Sequence, residues 1–188
     1  MPIIWQAIGA TILPNLGGIV GGFITGKEVP RWYKTLNKPS WTPPNYIFGP
    51  VWTALYSGMG YASYLVWRDG GGFNGNASLP LALYGAQLAL NWAWTPIFFG
   101  CHSLKWASFF HFIFFILIFL FFYGFFEICA LLGTAAASAT TMSEVNQTAG
   151  LIMVPYLAWL SYATALNYSI WKMNPSEPKA ITRERKKQ

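Results

Sequence analysis

Few side chains in this sequence could do covalent chemistry, and many could hold a flat apolar molecule. The two histidines are His102 and His111. No Ser–His–acid set, metal-ligand cluster or phosphate loop accompanies them, so no catalytic residue, metal or cofactor is expected. Cys101 and Cys129 have neither the number nor the spacing of a disulfide framework or metal site. Aromatic rings are abundant, with ten Trp and ten Tyr. Such rings anchor membrane interfaces, which accounts for most of them, and they also line cavities for flat or sterol-like ligands. Trp159, Ala163 and Leu166 are spaced by four and three, so one helical face presents all three. That face meets a ligand or another helix, and on spacing alone plain packing is the simpler reading. Leu166, Tyr168 and Lys172 fit the Leu–Tyr–Lys/Arg pattern proposed for cholesterol contact. Any last helical turn with a Tyr and a flanking Lys also fits it. In SWTPP (40–44) two prolines fix φ and remove two N–H groups. This stiff segment reads either as a lid that lays Trp41 over the mouth of a bundle or as an anchored connector.

The elements that position these residues follow from composition. The chain is 54% hydrophobic and only 10% charged, against about 25% charged in soluble domains. Apolar runs occupy about 3–25, 46–67, 79–100, 106–142 and 149–171. One membrane span needs about 20 residues, and the backbone must satisfy itself in lipid. The expected fold is therefore an all-α membrane protein, a single five-helix bundle over 1–172. Its fourth helix is over-long or broken, and a basic, disordered tail covers 173–188. The linkers are a basic Pro/Trp-rich loop (26–45), a Gly-rich loop (68–78) and short connections at 101–105 and 143–148. Pro14 predicts a kink in the first helix. Gln87, Asn91 and Asn167 are too polar to face lipid and should point into the bundle. Glu127 is the only acidic residue inside an apolar run. It is either a functional carboxyl or, more simply, the start of a helix over 127–142 near an interface. Ala82 with Ala86, and Gly85 with Ala89, form small-xxx-small pairs that permit a homodimer through the third helix. The N-terminus lacks the basic region of a cleaved secretory signal. Nothing points to a nucleic-acid partner.

Charge selects the number of crossings. With five spans, one side holds Lys27, Arg31, Lys34, Lys38, Lys105, Lys172, Lys179, Arg183, Arg185, Lys186 and Lys187, and the other only Arg68. With six spans the division becomes five against seven and the asymmetry disappears. Lys and Arg collect on the cytoplasmic side of short loops, so an odd number is expected with the tail cytosolic. That bears on FFHFIFFILIFLFFYGFF (109–126), which holds ten of the chain's fifteen phenylalanines. It should belong to one over-long, tilted or broken helix, with Gly124 and Glu127 as the places for a break.

Longer motifs carry a resemblance. KPSWTPPNYIFGPVWTALYSGMGYASYLVW (38–67), LALNWAWTPIFFG (88–100) and PYLAWLSYATALNYSIW (155–171), with PNLGG (14–18) and RWY (31–33), resemble the translocator protein family of tryptophan-rich sensory proteins. The resemblance covers most of 5–107 and 127–172. Against it, about 108–126 reads as an insert, whose Phe, Ile and Leu content is what a pyrimidine-rich tract encodes, as in translated intron or a splice isoform. The resemblance implies a five-helix bundle of the mitochondrial outer membrane that binds cholesterol, porphyrins and synthetic benzodiazepine-site ligands and is associated with steroidogenic cholesterol movement. It implies a pocket from Gly22, Thr25, Phe48, Gly49, Val51, Trp52, Asn91, Trp94, Trp106, Trp159, Ala163 and Leu166, under the loop carrying Trp41. It places the cholesterol motif at Leu166, Tyr168 and Lys172. Bacterial relatives linked to light-dependent porphyrin degradation add an enzymatic alternative through Trp52 and Trp159. A third reading is an adaptor whose basic tail recruits outer-membrane protein partners.

Overall fold

The computed structural model describes residues 5–100 and 124–174. Five helices run through them: α1 Trp5–Arg31, α2 Asn45–Asp69, α3 Ser78–Gly100, α4 Gly124–Val145 and α5 Gln147–Met173. Around the bundle the order is α1, α2, α5, α4, α3 and back to α1. Helices adjacent in sequence run antiparallel from α1 to α3 and from α4 to α5, so one end of the bundle gathers the first loop with the C-termini of α3 and α5.

The helices are long because nothing stops them. Apolar residues continue for six to seven turns, and most of the prolines inside them (Pro14, Pro50, Pro96 and Pro155) are absorbed within the helix. The lengths suit a bilayer. At about 1.5 Å per residue, the 23 residues of α3 rise about 34 Å, against an apolar core of about 30 Å. Helices α1, α4 and α5 are long and apolar enough to cross a membrane by composition alone. The outer faces are apolar: Ile8, Ile12, Leu16, Ile19, Val20 and Phe23 of α1 and Leu151 and Val154 of α5 are exposed. The inner faces hold the polar groups, with Gln87 0%, Asn91 5% and Asn167 6% accessible, as expected for side chains excluded from lipid. A bundle that is apolar outside and polar within is a membrane bundle.

Small residues let α1 come close. A Cβ on Gly60 would lie 2.2 Å from the Ala10 carbonyl oxygen, so α1 and α2 touch backbone to backbone there. A Cβ on Gly17 would meet the Trp92 indole at 2.2 Å, and that indole instead donates to the Pro14 carbonyl at 3.2 Å.

Three boundaries differ from the sequence expectation. The helical geometry of α1 persists to Arg31 and is followed by a 3-10 turn at Tyr33–Thr35, so the first loop proper is shorter than 26–45. The α4–α5 connection is Asn146 alone rather than 143–148. Its side chain accepts from the Ala149 N–H at 2.9 Å and so caps α5 without needing further loop residues. Helix α4 runs Gly124–Val145 rather than 127–142, with Glu127 fully buried in its first turn. The rest of the Phe-rich stretch before Gly124, His111, Trp106, Lys105, Cys101 and the tail from 175 lie outside the described residues.

Candidate ligand site

Two polar and aromatic layers occupy the inside of the bundle. The deeper one is a hydrogen-bond chain across α2, α3 and α5. The Tyr56 hydroxyl donates to Asn91 Oδ1, and Asn91 Nδ2 donates to the Tyr156 hydroxyl at 3.2 Å. That hydroxyl in turn donates to Gln87 Oε1 at 2.7 Å. Gln87 and Asn91 share a face because they are four residues apart, and Tyr156 reaches both from α5. Trp52 lies over this layer, 5.3 Å from the Tyr56 ring and 6.4 Å from that of Tyr156. The sequence marks Gln87 and Asn91 as inward, but not the two tyrosines. Their only signal is position, with Tyr156 one turn before Trp159 and Tyr56 one turn after Trp52.

The second layer lies under the first loop and is almost all aromatic. Trp94 stacks on Phe98 at 4.8 Å, and Phe98 meets Phe99 edge-on at 5.0 Å. From the loop side Trp32 and Tyr33 close on Phe98 and Phe99 at 5.4–6.5 Å. Burial, with the nearby Tyr162 phenol adding to it, raises the Tyr33 hydroxyl above its ordinary pKa. Across the bundle Phe48 meets Trp159 at 5.8 Å, Trp159 stacks on Tyr162 at 5.6 Å, and Tyr162 meets Trp41 at 5.4 Å. Trp41 therefore does lie against α5. Within these layers the indole N–H groups of Trp94 and Trp159 and Asn167 Nδ2 are buried without a partner among the described residues.

The expected pocket residues divide into two groups. Phe48, Trp52, Asn91, Trp94, Trp159, Ala163 and Leu166 belong to these two layers. Gly22 and Gly49 are exposed, with nothing within 4 Å of where a Cβ would stand. Thr25 spends its hydroxyl on the Gly22 carbonyl at 3.2 Å, and Val51 is half-buried. Asn91 is committed to Tyr56 and Tyr156. The cholesterol motif does not form a single surface. Leu166 is buried against Tyr33, Phe99 and Ile170, whereas Tyr168 and Lys172, one turn apart, face outward. Two residues of helix rotate the side chain by about 200°, which puts Leu166 and Tyr168 on opposite faces. Trp106 is outside the described residues.

Two cavities stand at the opposite end of the bundle. One of about 400 Å³ is lined by Asp69, Asn76, Leu79, Thr141 and Glu144. The other, about 530 Å³ and more open, runs between α4 and α5 beside Thr140, Ser143 and Leu151. Neither of these two lies under the first loop.

The TspO/MBR family profile matches residues 10–127 and 120–172, two stretches that overlap over 120–127 at the downstream edge of the Phe-rich segment. The chain belongs to the TspO/MBR family. Within it, the chain is 46% identical over 170 residues to the translocator protein of Homo sapiens, covering 89% of each chain. It is 36% identical over 162 residues to translocator protein 2 of Homo sapiens, covering 86% of this chain and 85% of the relative. It is 38% identical over 152 residues to protein CrtK of Rhodobacter capsulatus, covering 80% and 82%. With its apolar outer faces, this TspO/MBR protein is a multi-pass membrane protein.

Proposed function

We propose that the protein binds cholesterol and other flat hydrophobic molecules, porphyrins and benzodiazepine-site ligands among them, between its helices beneath the first loop. One observation carries the reading. The loop end is walled by Phe48, Trp94, Phe98, Trp159 and Tyr162, and its two indoles keep buried N–H groups without a partner among the described residues. An apolar, aromatic wall with a few polar groups to fix orientation is the usual composition of a site for a flat ligand. A ligand beneath the loop sits between the Trp94–Phe98 pair of α3 and the Phe48–Trp159 pair of α2 and α5. The relatives named translocator protein support a transport role; that this role is carried out in the mitochondrial outer membrane, with the tail cytosolic and in cholesterol movement and steroidogenesis, is part of the proposal. Tyr168 and Lys172 are the part of the sterol motif that faces the bilayer. Ala82, Gly85, Ala86 and Ala89 are all exposed on α3, which leaves that face open to a second copy.

The test compares the full chain with a form lacking 108–126. Each is titrated with cholesterol and with protoporphyrin IX, following Trp fluorescence. Saturable binding by both, weakened at least tenfold by Trp159→Ala, is expected. Binding by the deleted form alone means that the insert disrupts the site, and binding by neither overturns the reading. The enzymatic alternative rests on Trp52 and Trp159 and predicts loss of porphyrin absorbance under light. The adaptor alternative predicts that deleting 173–188 abolishes partner recruitment and spares ligand binding.

A further inference from the structure

The first loop is hydrogen-bonded to α5 at two points, and the stronger is made mainly by one side chain, with a longer bond from Asn37 Nδ2 to the Met173 carbonyl at 3.5 Å beside it. Asn174 stands at the C-terminal end of α5, where its backbone N–H bonds the Trp171 carbonyl. Its Oδ1 accepts from the Asn37 backbone N–H at 2.9 Å. Its Nδ2 donates to the Asn37 carbonyl at 2.8 Å and to the Ile170 carbonyl at 2.8 Å. A carboxamide presents a donor and an acceptor side by side, so one residue satisfies both backbone groups of Asn37. The second fastening is the Tyr162 hydroxyl, which donates to the Trp41 carbonyl at 2.8 Å.

Between the two points the loop is stiff. The Pro39 carbonyl accepts from the Thr42 N–H at 3.0 Å and from its hydroxyl at 2.7 Å, and Pro39 has no rotatable φ. Residues 39–42 are therefore held as one turn, and Lys38 Nζ, which donates to the Tyr33 and Leu36 carbonyls at 2.7 and 3.0 Å, hinges it on the residues before it. Before them Tyr33 is anchored in the core at 7% exposure, and after them α2 begins at Asn45. The Asn37–Asn174 and Tyr162–Trp41 bonds are exposed, so water can replace them when the turn lifts.

We propose that Asn174 is the latch of this loop and sets how fast ligand enters and leaves, not how tightly it is held. The inference rests on the reading that ligand sits beneath the loop. The latch touches only the loop backbone and the end of α5, not the aromatic wall. It holds the loop down equally whether the space beneath is filled or not, and a contact equal in both states cannot shift the binding equilibrium. It can shift only the fraction of time the loop is open, through which both rates pass.

The test uses the full chain in detergent, with two readouts. Stopped-flow quenching of Trp fluorescence by protoporphyrin IX gives the association and dissociation rates. Hydrogen exchange of peptides spanning 33–44 gives loop opening without any ligand. Asn174→Ala should raise both rates together by roughly tenfold, the effect of losing one to two exposed hydrogen bonds. Kd should stay within about twofold, and exchange in 33–44 should rise by a similar factor while 46–67 is unchanged. Asn174→Asp, which keeps the acceptor for the Asn37 N–H and loses the donor to the Asn37 carbonyl, should act the same way to a smaller extent, and it decides the matter if Asn174→Ala does not fold. Unchanged exchange and rates in both variants overturn the latch. So does a rise in dissociation alone with weaker Kd, because Asn174 then supports the bound site. If the wild-type chain does not bind protoporphyrin IX, the ligand reading fails for that probe, and the exchange arm still confirms or refutes the latch.

Discussion

Replacing Tyr156 with Phe removes one oxygen from the centre of the bundle and changes nothing else in shape. That oxygen accepts from Asn91 Nδ2 and donates to Gln87 Oε1. Both partners are buried, at 5% and 0% exposure, and Tyr156 itself at 1%, so water cannot take its place. Two neutral hydrogen bonds are worth about 1 kcal/mol each, and a buried group left unpaired costs about 1–3 kcal/mol. Interhelical side-chain bonds in membranes run lower, at about 0.6 kcal/mol on average, because the unfolded state in lipid also finds partners. The expected loss is therefore about 1–3 kcal/mol. For a chain of this size it corresponds to roughly 3–10 °C in Tm, read by circular dichroism in detergent. Gln87→Met should be nearly neutral when combined with Tyr156→Phe, because one of the two orphaned groups is then gone. A Tyr156→Phe variant that melts within about 1 °C of wild type, with no coupling to Gln87, would refute the claim that this chain of bonds holds the helices together.

Gly60→Ala should destabilise by about 1–3 kcal/mol, since its Cβ would lie 2.2 Å from the Ala10 carbonyl oxygen and α1 must move away from α2. Gly22→Ala and Gly49→Ala should instead be neutral or raise Tm, because both positions open outward and Ala favours helix by up to about 1 kcal/mol. Asn146→Ala should cost about 1 kcal/mol through loss of the α5 cap. It should also raise the Asp69 pKa, measured by NMR titration. That carboxyl, beyond the 46–67 span, is held at about 2 by its hydrogen bond from Arg68 and then by that from Asn146. Because the folded value lies below the ordinary 3.8, its stabilisation is complete above about pH 4 and is lost as pH falls towards 2.

Much of the fold was legible in the residues because lipid leaves a chain few choices. Uncharged runs of span length must be helices, so the described members of the five-helix set followed from hydropathy and from the one-sided distribution of Lys and Arg. The inward direction of Gln87, Asn91 and Asn167 followed from the cost of placing an amide in hydrocarbon. Boundaries were less legible. Pro30 did not end α1 before Arg31, and one Asn146 side chain replaced an expected six-residue connection by bonding both Ala149 and Asp69. The site was legible as residue types and not as geometry. Trp159, Ala163 and Leu166 do share a face, but Gly22 and Gly49 turn away from the interior.

What the sequence alone determined is what a one-dimensional pattern can encode. It set the helices of the described residues, their polar stripes, and the stiffness of SWTPP. Partner choice among buried groups was decided only by the tertiary structure. Asn91 is spent on Tyr56 and Tyr156, Leu166 and Tyr168 part to opposite faces, and Asn174 closes on Asn37, which stands 137 positions away. A buried hydrogen bond depends on which helix face meets which. That meeting depends on the whole ring of five helices and on close approaches such as Gly60 against Ala10, which no local spacing contains.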